Sequence, residues 1–168
     1  AGSFLALDVS FFESLLHGFS TISTGGFSTR GASIAAFNSV SLNIVTTFFM
    51  FLGGVNFVLL YRFLRAEFSA PIKSSEFRMY TWITVGMAAI MSIEIFMGSG
   101  NFGRSVLDGF FQAAAVMSST GYSTIGFAGF SQMLQLLIIA GMFVGGSLGS
   151  TSGGLKIFRL KTLLELLK

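Results

Sequence analysis

The chain has 168 residues, 52% of them hydrophobic and 10% charged, with a net charge of +3 and a mean hydropathy of +0.79. That composition places it in a bilayer rather than among soluble domains. It has no cysteine and one histidine, His17, which excludes a disulfide framework and any cysteine or multi-histidine metal centre. No Ser/His/Asp set assembles plausibly around a lone histidine, and the basic residues form no stripe interleaved with aromatics, so neither an enzyme nor a nucleic-acid binder is expected.

Residues 1–10 (AGSFLALDVS) lack an initiator Met and a positive leader region, and the helical pattern is still running at Lys168, so a piece of a longer polypeptide is expected. The apolar segment 10–23 is about half the length needed to cross a hydrocarbon core of roughly 30 Å, which takes about 20 helical residues. It runs into STGGFSTRG (23–31), and a short helix followed by irregular backbone at membrane depth implies a lined pathway. Residues 40–61 read as a full span, with a weak interruption at Gly53, Gly54 and Asn56. A connection around the single proline, Pro71, leads to a second span at 79–98. Another half-length apolar segment, 105–118, enters SSTGYSTIG, and a third span covers 131–148. It ends in GGSLGSTSGGLK (145–156), where five glycines make a straight helix unlikely, since an interior glycine costs up to ~1 kcal/mol relative to alanine. The pattern GxxxxGK[ST] of a phosphate-binding loop does not fit there, because Leu155 precedes Lys156.

Arg62, Arg65, Lys73 and Arg78 lie between the first two spans, and Lys156, Arg159, Lys161 and Lys168 follow the third. By the positive-inside rule these regions are cytoplasmic and both Gly-rich stretches at 22–31 and 117–126 face outward.

The chain repeats itself. A shift of 95 residues lays ISTGGFSTRG (22–31) on MSSTGYSTIG (117–126), pairing Gly26 with Gly121 and Phe27 with Tyr122, and a shift of 92 lays MFLGG (50–54) on MFVGG (142–146). The expected organisation is therefore a pore helix, filter loop and inner span at 1–66, a cytoplasmic linker at 67–78, and a second repeat with its own outer span at 79–168.

A dehydrated monovalent cation needs a cage of oxygens, which stacked backbone carbonyls provide without fixed charge. Gly26 and Gly121 suit the positions of unusual backbone, with Thr24, Gly25, Phe27, Ser119, Thr120 and Tyr122 giving carbonyls while their side chains face protein. The negative ends of the half-helices favour a cation. The residues alone leave two other readings open: a secondary solute transporter with discontinuous helices, and a noncatalytic scaffold whose glycines serve helix packing.

STGGFSTRG (23–31), SSTGYSTIGF (118–127) and above all GGSLGSTSGGLKIFR (145–159) resemble the Trk/Ktr/HKT superfamily of potassium transporters, in particular its TrkH-like membrane subunits. The resemblance implies an all-α membrane protein built of pore-loop repeats, each a span, re-entrant pore helix, filter loop and span. It assigns the two stretches to the second and third of four filters. It makes Gly145, Gly146, Ser147, Gly149, Ser150, Thr151, Gly153 and Gly154 an intramembrane gating loop. It also implies no cofactor, transported potassium, a homodimer in the cell's inner (plasma) membrane, and a cytoplasmic nucleotide-binding regulatory subunit.

Single polar residues carry further expectations. Glu94 reads as a hydrogen-bonded structural carboxylate ahead of an ion ligand, Glu13 and Asp108 as acids favoured by helix N-termini or as a funnel for cations, His17 as a packing residue ahead of a proton sensor, and Arg30 as a loop anchor ahead of a guard against divalent cations. Lys156 either balances the carbonyl end of the Gly-rich loop or anchors at the membrane interface.

Overall fold

A computed structural model describes residues 9–126 and 130–166. It is all-helical, with no strand among those residues. The helices are α1 (Phe11–Ile22), a short 3-10 turn (Ser33–Phe37), α2 (Val40–Gly53), α3 (Phe57–Leu64), α4 (Ser69–Lys73), α5 (Ser75–Ser99), α6 (Phe102–Met117), α7 (Gln132–Val144) and α8 (Ile157–Leu166). Lys168, Phe127 and residues 1–8 of the expected first unit lie outside the described residues.

Side-chain caps set most of the helix starts. Ser10, Ser39, Asn56, Ser74, Asn101 and Ser131 each accept a bond from an amide of the following first turn, which satisfies donors a helix leaves orphaned. Ser10 and Glu13 form a reciprocal pair at the start of α1, the Glu13 amide donating to Ser10 Oγ and the Ser10 hydroxyl to the Glu13 carboxylate, both at 3.3 Å.

Among the described residues α5 alone is long and apolar enough to cross a bilayer. The span expected over 40–61 is not one rod: α2 and α3 meet at 109°. The third span is also shorter than expected, α7 stopping at Val144. Helix α5 packs along α6, and the approach is close because Gly109 faces Ser92; a Cβ there would lie 2.7 Å from the Ser92 amide nitrogen. Met87, Ala88 and Met91 of α5, Ala113, Val116 and Met117 of α6, and Leu134 and Ile138 of α7 form one core. Ile34, Leu42, Met50, Phe111, Ala115 and Tyr122 form a second, which holds the two Gly-rich stretches together. Lys161, midway along α8, donates to Ser75 at the start of α5 at 2.9 Å, so the two basic clusters share one end of the molecule.

Candidate functional site

Both half-helices end the same way. At α1 the amides of Thr24 and Gly25 turn back to the Thr21 and Ser20 carbonyls (3.2 and 2.8 Å); at α6 those of Ser119, Thr120 and Gly121 turn back to Val116 and Ala115 (3.0, 2.9 and 3.2 Å). The orphan carbonyls of each helix terminus thus consume the amides of the loop. The carbonyls of Thr24, Gly25, Gly26, Ser119, Thr120 and Gly121 receive no hydrogen bond from the described residues.

Left-handed backbone recurs at alternate positions, Thr24 (φ 52°) and Gly26 (68°) in the first loop, Ser119 (58°) and Gly121 (79°) in the second. In an ordinary extended segment successive carbonyls point to opposite sides; inverting the handedness of every second residue turns them toward one side. The two loops touch, because a Cβ on Gly26 would fall 1.7 Å from the Thr120 carbonyl oxygen. They are also bonded, Tyr122 Oη donating to the Phe27 carbonyl at 3.1 Å and the Ala35 amide to the Ser123 carbonyl at 3.3 Å.

The aromatic pair departs from expectation. Tyr122 is buried, but the Phe27 ring is 80% exposed, so it does not face protein within this chain, and one lone pair of its carbonyl is taken by Tyr122. Gly121 differs from Gly26 likewise: nothing lies within 4 Å of its Cβ direction. Each loop has one edge filled by the other and one edge open.

The polar residues behind the first loop form a latch. Glu13 takes Arg30 Nε at 3.2 Å and Thr29 Oγ1 at 3.1 Å, Arg30 lies 4.1 Å over the Phe37 ring, and His17 bonds Ser28 Oγ at 3.0 Å. Arg30 is thus an anchor, and His17 a buried packing residue. The Arg30 guanidinium holds the Glu13 carboxyl below its ordinary value of 4.5. A depressed folded-state pKa contributes stability that is complete above the ordinary value and is lost as pH falls through the lowered one. Thermal melts of the full-length protein from about pH 6 to about pH 3 are therefore expected to fall more steeply for the wild type than for Glu13→Gln.

Asp108, aligned with Glu13, does not sit at a helix start as expected, because α6 begins at Phe102, capped by Asn101. It pairs with Arg104 at 3.1 Å, one turn earlier on its own helix. Glu94 is structural: its carboxylate accepts the Ser131 amide at 2.6 Å and hydroxyl at 2.9 Å, holding the start of α7. Glu94→Ala is expected to destabilise the full-length protein by about 1–3 kcal/mol in denaturant titrations.

The stretch 145–156 is a closed loop, as its glycines require. Leu155, Lys156 and Ile157 amides bond the Phe143, Val144 and Gly146 carbonyls (2.9, 3.1 and 3.1 Å), bringing its ends together. It lies against the start of each Gly-rich stretch. Thr151 Oγ1 donates to the Ile22 carbonyl at the end of α1 and to the Gly53 carbonyl, each at 3.1 Å, and a Cβ on Gly153 would stand 3.5 Å from Ser119 Oγ. Within it the Lys156 ammonium donates to the Ser152 carbonyl and lies 3.4 Å from the Ser150 and Ser152 hydroxyls, so it balances carbonyl charge in the loop.

The break between α2 and α3 is no weak echo. It interlocks with the loop: the Ser147 amide donates to Gly54 at 2.8 Å and the Phe57 amide to Gly149 at 3.1 Å. Glu76 Oε1 accepts the Leu148 amide at 2.5 Å, and Tyr80 Oη caps the Phe51 carbonyl at 3.1 Å. Glu76 and Tyr80 were not visible as site residues in sequence; only the Gly-Gly match at a shift of 92 hinted at the paired breaks.

Paired half-helices ending in carbonyl-presenting loops, set among helices with broken inner segments, define an all-α membrane protein of the pore-loop class. The chain matches the profile described as "TrkH: Cation transport protein" over residues 7–168 and belongs to that family, one of ion transport and not of catalysis. It is 32% identical over 159 residues to the Trk system potassium uptake protein TrkH of Vibrio parahaemolyticus, covering 90% of this chain and 32% of the relative. It is 31% identical over 156 residues to the Trk system potassium uptake protein TrkG of Escherichia coli K12, covering 92% and 32%. The crystal structure of the potassium transporter TrkH from Vibrio parahaemolyticus superimposes with a TM-score of 0.90 at 29% identity, over 96% of this chain and 36% of that one. The chain thus spans about a third of the length of these relatives.

Proposed function

We propose that these residues form two of the filter segments of a potassium-uptake protein, with 1–66 and 79–168 as successive repeats, 67–78 as a cytoplasmic linker, and 145–154 as the gate. The observation that carries this reading is the commitment of the loop amides to the half-helix termini, which leaves carbonyls of Thr24, Gly25, Gly26, Ser119, Thr120 and Gly121 for an ion. Phe27 and Tyr122 complete the filter segments, with Tyr122 bracing the first from behind. An oxygen-lined path without fixed charge suits a weakly hydrated monovalent cation. The open edges at Phe27 and Gly121 are where further repeats of the same kind would pack. Gly145, Gly146, Ser147, Gly149, Ser150, Thr151, Gly153 and Gly154 obstruct the path beneath the filter. The named relatives are potassium-uptake proteins, which supports potassium as the ion. The same resemblance suggests a homodimer in the cell's inner membrane, served by a cytoplasmic nucleotide-binding subunit.

Flux of rubidium into liposomes holding the full-length protein, with sodium as competitor, tests the reading. Gly121→Ser is expected to lower the preference for potassium over sodium, and an unchanged preference in active protein would remove Gly121 from the filter.

A further inference from the structure

The two repeats hold their loops from behind with unequal hardware. In the first, Thr29 Oγ1 reaches the Glu13 carboxylate at 3.1 Å and Arg30 closes the latch. At the shift of 95, Glu13 becomes Asp108, His17 becomes Gln112, Thr29 remains Thr124, and Arg30 becomes Ile125. The acid is one methylene shorter and the cation is gone.

The consequence is visible in the bonding. Asp108 is 3% exposed and Gln112 is fully buried, one turn apart on the same face of α6. Asp108 Oδ2 takes Arg104 and Gln112 Nε2 donates to the Ile125 carbonyl at 3.0 Å, which sets the Gln112 amide against the residue next to Thr124. Yet among the described residues Asp108 Oδ1, Gln112 Oε1 and Thr124 Oγ1 are all buried atoms without a partner. Two of these atoms can only accept, and the third is a hydroxyl that can donate.

We infer that these three atoms form a site for one ordered water molecule behind the second loop, standing in for the methylene and the direct Thr29–Glu13 contact of the first. The donor count matches. The water gives one hydrogen each to Asp108 Oδ1 and Gln112 Oε1 and accepts the Thr124 hydroxyl, the three bonds a buried water typically makes. A metal cation would leave the hydroxyl hydrogen without an acceptor and would find only three protein oxygens. The second loop is therefore tied to its half-helix through a water, the first through an ion pair. The site does not depend on what passes the loops.

The test is an experimental structure of the full-length protein at a resolution that shows ordered waters, for the wild type, Asp108→Glu and Thr124→Val. In the wild type a peak is expected within hydrogen-bond distance of all three atoms, with no anomalous signal in rubidium. In Asp108→Glu the longer carboxylate should reach the Thr124 hydroxyl itself and the peak should vanish; in Thr124→Val it should weaken or vanish. Direct pairing of the three wild-type groups without a peak, a rubidium signal there, or a peak that persists unchanged in Asp108→Glu would each overturn the assignment. The wild-type density decides the matter even where a variant does not fold.

Discussion

Replacing Gly26 by alanine is expected to abolish potassium-selective flux in the full-length protein, with a larger effect than the same change at Gly121. Both glycines have left-handed backbone, at φ 68° and 79°, where a Cβ costs roughly 1–2 kcal/mol. That penalty alone does not decide the outcome, since Thr24 and Ser119 hold φ of 52° and 58° with full side chains in the same loops. The contact does. At Gly26 the new methyl would stand 1.7 Å from the Thr120 carbonyl oxygen and 2.9 Å from its carbon, and backbone cannot rotate away as a side chain can. Either the first loop retreats or the Thr120 carbonyl turns, and each displaces oxygens of both loops at once. Gly31, with nothing within 4 Å of its Cβ direction, is the control, and its alanine variant should keep wild-type preference. The measurement is the rubidium-to-sodium flux ratio in liposomes. A selective Gly26→Ala protein would mean that the contact between the loops is not part of the ion path.

The parts of the molecule legible in sequence were those that short-range chemistry decides. Segments 10–23 and 105–118 became helices Phe11–Ile22 and Phe102–Met117, since apolar runs ending in Ser/Thr/Gly clusters leave the chain few alternatives. The repeat placed the left-handed residues in register, and five glycines announced the loop after Val144. The bend after Gly53 was less legible because the sequence stays apolar on both sides, MFLGG leading into FVLL. It is imposed from a distance, by Gly149 accepting the Phe57 amide and by Tyr80 filling the space beside Gly54. Asp108 was misread for a nearer reason: Asn101 caps α6 one turn upstream of the point where apolar patterning begins. Phe27 could not be read at all from its type, because an exposed ring in this chain and a ring packed on another segment look identical in sequence.

Removing the Lys156 ammonium, as in Lys156→Met, is expected to raise the rate of potassium entry roughly tenfold or more while leaving the rubidium-to-sodium ratio unchanged. The ammonium is joined to the Ser152 carbonyl and close to the Ser150 and Ser152 hydroxyls, so it ties the returning end of the loop to its middle. Lys156 also carries φ of 71°, an unfavourable backbone for a residue with a Cβ, which those contacts must offset. A hydrogen bond to a charged group contributes about 1.5–3 kcal/mol. If that contribution exists only while the loop lies across the path, its loss shifts the closed-to-open equilibrium by about one to two decades. The Lys156 ammonium bonds no oxygen of the two Gly-rich stretches, so the ratio should not move. Thr151→Val acts in the same direction from the middle of the loop, by about 0.5–1.5 kcal/mol for each of its bonds to Ile22 and Gly53. Because both residues hold one small loop, the double variant should fall short of the sum. Unchanged or slower entry through folded Lys156→Met protein would show that the lysine does not hold the loop closed. A changed ratio would move its influence from the gate to the filter.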